Sequence, residues 1–194
     1  MRYSDCRLGA AFALHAHSVS DELQDVKTKL MKLAEGIAEV CHAMTQATPT
    51  GLPKKSFYIE TNKTNSVNPY WILPVMDGEP YNLEPELLET YFVLYRITGN
   101  EKYRDYAWEY VEVLYRHARS KEGAFFGEAG QTTKNKELPV KLMQEPVFFS
   151  GTLKYLYLTF AESWVLPLDE WIFNSLGHPL PVHGLHPAFT ESLN

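Results

Sequence analysis

Apolar residues in the first quarter of the chain recur at the spacing of an α-helix. Between residues 22 and 44 they alternate at intervals of three and four, which places them on one stripe of a long helix. The members of this stripe are Leu23, Val26, Leu30, Leu33, Ile37, Val40 and Met44. Ser20 and Asp21 stand ahead of the stripe and suit its cap and its acidic first turn. The pattern predicts a long amphipathic helix that ends before the turn-rich residues 47–55.

The middle of the chain repeats the helical pattern twice. Pro85 suits the first position of a helix, whose buried side is predicted to be Leu87, Leu88, Tyr91, Leu94 and Tyr95. A second stripe follows, made of Tyr103, Tyr106, Tyr110, Val113, Leu114 and His117. Gly99 ends the first helix and Asn100 caps the second, so the break between them is only residues 98–100. A connection this short predicts an antiparallel helical hairpin.

The rest of the chain is mixed in pattern. Residues 121–140 are polar and contain glycine, which predicts a long loop. A further helix is predicted from about Val147 to Phe160, and the β-branched and aromatic segment 165–173 is either a strand or an extended tail. Serial helical hairpins favour an all-α fold, either an α-solenoid or an α/α toroid. No repeat of fixed period stands out, which argues against tetratricopeptide and ankyrin arrays.

Composition narrows the classes of function. The 194 residues suit one domain, residues 1–194, and 45% apolar with 13% aromatic residues can bury a core. The net charge is −6 and the basic residues are dispersed, which argues against a nucleic-acid partner. No apolar run reaches the length of a transmembrane span. The short apolar run 8–14 could be a weak signal peptide, but Asp5 and Cys6 beside it favour a core helix.

Six segments, in order along the chain, resemble the motifs of glycoside hydrolase family 47, the class I α-1,2-mannosidases. The segments are CRLGAAFAL (6–14), LAEGIAEVCHAM (33–44), PTGL (49–52), YNLEPELLETYFVLYR (81–96), TGNEKY (98–103) and the closing segment 148–182. The family typically carries CFLPGTLAL, ELAKTCYxMY, PTGL, YxLRPExxESxxYLYR and TGDPKY at the first five places. Its closing segment has the form SFFLAETLKYLYLLF, followed by LPLDEWIFNTEAHPLPI.

The resemblance covers about residues 3–182 and implies a partial (α/α)7 barrel, the C-terminal part of the family's domain, with short extended segments near the C-terminus. It implies mannose trimming in the endoplasmic reticulum or Golgi, with high-mannose N-glycans or glycoproteins as partners. Family members are inverting glycosidases, which need an acid and a base on opposite faces of the sugar. The resemblance also implies a bound Ca²⁺, a hard cation that takes about six to eight oxygen ligands.

The acids of the RPExxES motif match Glu86 and Glu89. Residues three apart share one face of a helix, and the helix start should favour their charged forms. The resemblance makes Glu86 the candidate base and Glu89 a substrate-binding residue, with Phe148 and Phe149 as remnants of a sugar-stacking wall. Ser175 matches the Thr of NTEAHP and is the candidate calcium ligand. Without the family frame, the two glutamates would only stabilise a helix start, and Ser175 would only belong to a turn.

The chain contains two cysteines, Cys6 and Cys41. By themselves they indicate only two buried, small apolar side chains. The resemblance pairs them, because they match two family cysteines that are bridged in some members. A bridge requires Cα atoms within about 7 Å and an oxidising compartment.

Five positions depart from the family pattern. Gly151 and Leu176 stand where the family has glutamates, and Tyr3 stands where it has a histidine. Glu84 stands where the family has a substrate-contacting arginine, and Lys55 stands where PTGLxPE has its glutamate. The loss of a general acid or base typically lowers a rate by about 10²–10⁴-fold. Hydrolysis by this chain alone is therefore expected to be impaired.

Three other functions fit parts of the sequence. The chain could be a catalytically dead, lectin-like module that binds glycans or glycoproteins, or a truncated or degenerate gene product. It could also be a helical-hairpin scaffold for protein contacts, although the ordered motifs favour the family. An open partial barrel would expose the apolar flanks of its terminal helices, so self-association is expected.

Overall fold

The computed structural model describes residues 1–61, 70–75, 81–127 and 144–182. The helices within these ranges are α1 (Arg7–Ser18), α2 (Gln24–Gln46), α3 (Glu86–Thr98), α4 (Lys102–Val113) and α5 (Lys154–Phe160). The strands are β1 (Phe57–Thr61), β2 (Tyr70–Pro74), β3 (Trp171–Phe173) and β4 (Pro179–Pro181). Turns of 3-10 helix at Tyr3–Cys6 and Asp21–Leu23 precede α1 and α2, and wider π turns at Leu114–Ala118 and Phe148–Leu153 follow α4 and precede α5.

The predicted hairpin of α3 and α4 is present. Gly99 adopts a φ of 65°, a left-handed conformation that favours glycine, and its N–H donates to the Tyr95 carbonyl at 2.8 Å. The Asn100 side chain then accepts the Lys102 N–H at 3.2 Å, which caps α4. Because α3 also contacts α1 and α5, it forms the centre of the helical array and is buried on most sides.

The length of α2 matches the prediction, and the C-terminal part of its apolar stripe is buried at Met44 and packs on the core at Ile37 and Val40, whereas the N-terminal part of the stripe is mostly exposed. Leu23, Val26 and Leu33 are exposed, and the buried residues are Ala34, Ala38, Cys41, Met44 and Thr45. Helix α1 presents a similarly small face, made of Gly9, Ala10, Ala13 and Ala16. Two faces of small residues let the helix backbones approach closely, and this closeness outweighs the larger apolar side chains on the neighbouring stripe.

Both strand pairs are antiparallel hairpins. Strand β1 pairs with β2 from Phe57↔Pro74 to Thr61↔Tyr70, and β3 pairs with β4 around Ile172↔Leu180. The predicted strand or tail at 165–173 is therefore a strand only in its last three residues. The predicted helix over 147–160 is helical, with a π turn before α5.

The predicted loop at 121–140 is described only in its first part. Residues 121–127 form a turn that is closed by a bridge between Arg119 and Phe125, and residues 128–140 lie outside the described residues. Among the described residues, no helix combines the length and the apolar content that crossing a bilayer requires.

Candidate functional site

The first turn of α1 is fixed against the middle of α3. The Thr90 hydroxyl donates to the Cys6 carbonyl at 2.7 Å and accepts the Ala10 N–H at 3.0 Å. A Cβ added to Gly9 would lie only 2.5 Å from Thr90 Cγ2, so this approach requires a glycine. The predicted disulfide is present as well, with the Cα atoms of Cys6 and Cys41 5.9 Å apart.

This anchoring places Arg7, the first residue of α1, over the first turn of α3. Arg7 Nε donates to Glu89 Oε2 at 2.8 Å, and its Nη2 lies 3.6 Å from Glu86 Oε1. Both carboxylates are 13% exposed, whereas the guanidinium side chain is 35% exposed. The second oxygen of Glu86, Oε2, is buried and has no hydrogen-bond partner among the described residues.

Burial is the largest influence on the pKa of these two acids. It raises the pKa of both Glu86 and Glu89, and the nearby Arg7 only partly offsets this effect. The expectation that the helix start would favour their charged forms is therefore wrong in its net result. A carboxyl with a raised pKa keeps its proton to a higher pH, and it is the stronger base once it has ionised.

The two reversed charges of the sequence form one ion pair. Lys55 Nζ makes a close contact with Glu84 Oε1, and the side chains are 29% and 15% exposed. The Asn82 N–H donates to the other carboxylate oxygen of Glu84 at 2.9 Å. Sequence reasoning treated the two reversals as separate losses. Their pairing could have been inferred from the sequence, because the two changes are opposite: an acid becomes a base at Lys55, and a base becomes an acid at Glu84.

A buried tyrosine cluster lies behind this pair and was missed from the sequence. The Tyr81 hydroxyl donates to the Glu84 carbonyl at 2.7 Å and shares a close hydrogen bond with the Tyr110 hydroxyl. Tyr3, at the position of the family histidine, donates to the same carbonyl at 3.4 Å. Burial raises the pKa of all three tyrosines, so they stay neutral and hold the segment before α3.

A cavity of about 380 Å³ opens beside these groups. Its lining residues are Arg2, Tyr3, Ser4, Lys55, Ser56, Glu84 and Glu86. The lining combines hydroxyls, cations and carboxylates, which are the groups that bind sugar hydroxyls. The candidate base therefore borders an open cavity of a size that small ligands occupy.

Ser175 lies in an exposed turn whose backbone is held by Asn174. The Asn174 side chain accepts the N–H groups of Leu176 and His178 at 2.9 and 3.0 Å. In the same turn, Gly177 has a φ of 75°, and a Cβ there would lie 2.2 Å from the Ser150 carbonyl oxygen. The turn therefore packs directly on the π turn that precedes α5.

The π turn at Phe148–Leu153 also packs on the start of α3. A Cβ added to Gly151 would lie 2.6 Å from Pro85 Cγ. Through this contact, the Ser175 turn reaches the same end of the helical array as Glu86 and Glu89. The assignments of these residues to calcium, base and substrate binding stay predictions.

The two phenylalanines of the predicted stacking wall differ in access. Phe148 is fully buried, and its ring stacks on Phe125 with centroids 5.4 Å apart. Phe149 is 56% exposed and packs edge-to-face on Phe148. Of the two rings, Phe149 is the one that a ligand could reach.

The residues of this end of the fold do not fit the calcium ion that the resemblance implies. Within the described ranges, no group of three or more His, Cys, Asp or Glu side chains could hold a metal. Ser175 offers only its hydroxyl and its backbone carbonyl, and Gly151 sits against Pro85 without room for a side chain. Glu89 is already engaged by Arg7, so the part of the chain that the structure describes does not assemble the six to eight oxygen ligands that Ca²⁺ takes.

Comparison with known proteins identifies the family. The model of glycosyl hydrolase family 47 matches residues 1–182. The chain is 36% identical, over 99% of its length, to mannosyl-oligosaccharide α-1,2-mannosidase IA of Drosophila melanogaster, and 35% identical, over 94%, to mannosyl-oligosaccharide 1,2-α-mannosidase IA of Sus scrofa. It spans only 27% and 26% of those two proteins.

The fold is shared with a solved structure. The structure of an α-1,2-mannosidase from Trichoderma reesei superposes with a TM-score of 0.74 at 21% identity, covering 94% of this chain and 39% of that one. The helical hairpins are therefore part of an (α/α)7 barrel, as the resemblance implied. The chain belongs to glycosyl hydrolase family 47.

Proposed function

We propose that this chain is a class I α-1,2-mannosidase homologue that engages high-mannose N-glycans and is impaired in hydrolysis on its own. The observation that carries this proposal is the engagement of Glu86 and Glu89 by Arg7. An inverting enzyme needs an ionised base that is free to activate a water molecule. Here the candidate base is not free, because its Oε1 lies 3.6 Å from Arg7 Nη2.

The test is an assay of mannose release. Purified chain is incubated with a high-mannose oligosaccharide, with and without added calcium, and free mannose is measured against a catalytically active family member. We expect no release by the chain in either condition. Turnover that the Glu86→Gln variant abolishes would refute the proposal and make Glu86 a working catalytic residue.

A second function, glycan binding without hydrolysis, is favoured by the cavity beside Glu86. The lining of this cavity, which includes Glu86, Glu84, Lys55 and Tyr3, offers donors and acceptors for sugar hydroxyls. Calorimetric titration should show binding of a high-mannose oligosaccharide and weaker binding by the Glu86→Ala variant. Glu112→Ala, which changes an exposed helix pair, is the matched control. Equal affinity for a galactose-terminated glycan would exclude this function.

A location in the secretory pathway is the third part of the proposal. It is supported by the bridge between Cys6 and Cys41, because structural disulfides persist in oxidising compartments. Mass spectrometry of the alkylated protein, isolated from cells, would locate the bridge. Free thiols at both positions would contradict a secretory location.

Self-association through the outer face of α5 is the last part. Phe149, Leu153, Tyr157 and Phe160 follow one another at helical spacing, and all four are exposed. The occupant we propose for this stripe is a second copy of the chain. Light scattering after gel filtration should show a concentration-dependent mass that Tyr157→Lys lowers, and a constant monomer mass would exclude it.

A further inference from the structure

Arg7 was not singled out by the sequence, yet it makes the closest contact to the candidate acids. The family motif CFLPGTLAL places a phenylalanine at this position, so the guanidinium is a feature of this chain. Its Nε lies 2.8 Å from Glu89 Oε2, and its Nη2 lies 3.6 Å from Glu86 Oε1. One planar cation therefore bridges two carboxylates that share a helix face.

The position of Arg7 is fixed from both sides. The preceding residue, Cys6, is tied to α2 by the disulfide and to α3 by the hydroxyl of Thr90. Two residues later, Gly9 permits the close approach of α1 to α3. A long arginine side chain usually loses conformational freedom when it forms an ion pair. Here the start of its helix is already immobilised, so only the side chain remains to be ordered.

We propose that Arg7 is a built-in counter-ion for Glu86 and Glu89, and that it makes this end of the fold independent of a divalent cation. The guanidinium supplies the positive charge that holds the two acids together. Its fork of N–H donors suits carboxylates, and its charge repels a dication approaching the same oxygens. The inference concerns cation dependence and stability, so it holds whether or not the chain binds or hydrolyses a glycan.

The close packing around the neighbouring turns agrees with this assignment. Gly151 lies against Pro85 and Gly177 lies against Ser150, with no room for a Cβ at either glycine. A proline ring therefore occupies the space beside Gly151, and the Ser150 backbone occupies the space beside Gly177. A guanidinium group is weakly hydrated, and so it tolerates such a closely packed surrounding better than a strongly hydrated metal ion would.

The experiment compares cation dependence with charge removal in the full chain, with its disulfide intact. Thermal unfolding of the wild type is measured in calcium chloride and in EDTA, and we expect the two midpoints to agree within about 1 °C. Arg7→Met should raise the unfolding equilibrium constant about 30-fold, between the effects typical of surface and buried pairs. Arg7→Lys keeps the charge and should therefore raise the unfolding equilibrium constant less than Arg7→Met does.

The decisive variant carries Arg7→Met together with Glu86→Gln and Glu89→Gln. Removing the two negative charges should recover most of the stability that Arg7→Met loses, because no buried carboxylate is then left without a counter-ion. Arg116→Met, beside the exposed Glu112, is the control and should change the equilibrium constant less than about threefold.

Two results would overturn the proposal. The first is a rise in the wild-type midpoint on adding calcium, which would show that the site still takes a divalent cation. The second is a triple variant that is no more stable than Arg7→Met, or that fails to fold while Arg7→Lys folds. Either form of the second result would mean that Arg7 acts through packing rather than through its charge.

Discussion

The ion pair between Lys55 and Glu84 allows a direct test of how this chain tolerates its reversed charges. We expect Lys55→Glu alone, or Glu84→Lys alone, to place two like charges in contact. The double variant restores an ion pair with the opposite polarity, which is the polarity that the resemblance assigns to the family. The structure therefore predicts that the double variant is more stable than either single variant.

The magnitude follows from the environment of the pair. Exposed pairs contribute about 0.2–1 kcal/mol, whereas breaking a buried pair costs about 3–5 kcal/mol. With exposures of 29% and 15%, this pair lies between these limits, so each single reversal should lower the free energy of unfolding by about 2 to 3 kcal/mol. The double variant should lie within about 1 kcal/mol of the wild type. It does not recover fully, because the Asn82 N–H loses its acceptor on Glu84.

The assay is equilibrium unfolding in urea, analysed as a double-mutant cycle. A cycle on the exposed pair of Arg116 and Glu112 is the control and should give a coupling of only about 0.3–0.5 kcal/mol. Additive effects of the two reversals at Lys55 and Glu84 would refute the reasoning. Such additivity would mean that the two departures from the family pattern are independent losses.

Three further predictions concern packing, pH and the disulfide. Gly151→Ala should lower the free energy of unfolding by about 1–3 kcal/mol, because its Cβ would collide with the ring of Pro85. Gly36→Ala, whose Cβ would have nothing within 4 Å, should raise it by about 0.5–1 kcal/mol. Urea unfolding that ranks the two variants the other way would contradict the packing. Burial raises the pKa of Glu86, so the wild type should lose stability as the pH rises from the pKa of Glu86 in the unfolded chain through its higher pKa in the folded chain. Glu86→Gln does not titrate, so its thermal midpoint relative to that of the wild type should increase between pH 4 and 7. A decrease would refute the burial argument. Replacing Cys6 and Cys41 by alanine opens a loop of 35 residues and should lower the free energy of unfolding, measured in urea, by about 4 kcal/mol. A wild-type stability that dithiothreitol does not change would contradict this prediction.

The sequence predicted helices best where their ends carry specific residues. The hairpin around Gly99 and Asn100 was correct because a left-handed glycine and a side-chain cap are local features. The apolar stripe of α2 was correct only towards its C-terminal end, because periodicity gives weight to large apolar residues. Its real core is made of Ala34 and Ala38, which are buried because α1 is close, and closeness is a tertiary property.

The site was predictable only as far as the family motifs reach. Glu86 and Glu89 were identified because they lie inside a motif, and their relative placement followed from helical spacing. Their partner Arg7 is about 80 residues away in sequence and became visible only through the packing of α1 on α3. The contact between Lys55 and Glu84 was hidden for the same reason. Helical spacing predicts which residues share a face, but it does not predict which helix lies opposite that face.

The linked nature of these departures bears on whether the chain is a degenerate product. Random decay of a pocket would leave buried charges without partners, and each of these would cost several kcal/mol (about 3–5 when one partner of a buried pair is lost). Instead, Lys55 faces Glu84, Arg7 faces Glu89, and Gly151 leaves room for Pro85. A chain with such compensated changes should unfold in one cooperative transition, as a single domain does. A broad unfolding curve with different midpoints by fluorescence and circular dichroism would instead favour the degenerate product, even if the individual ion pairs were confirmed.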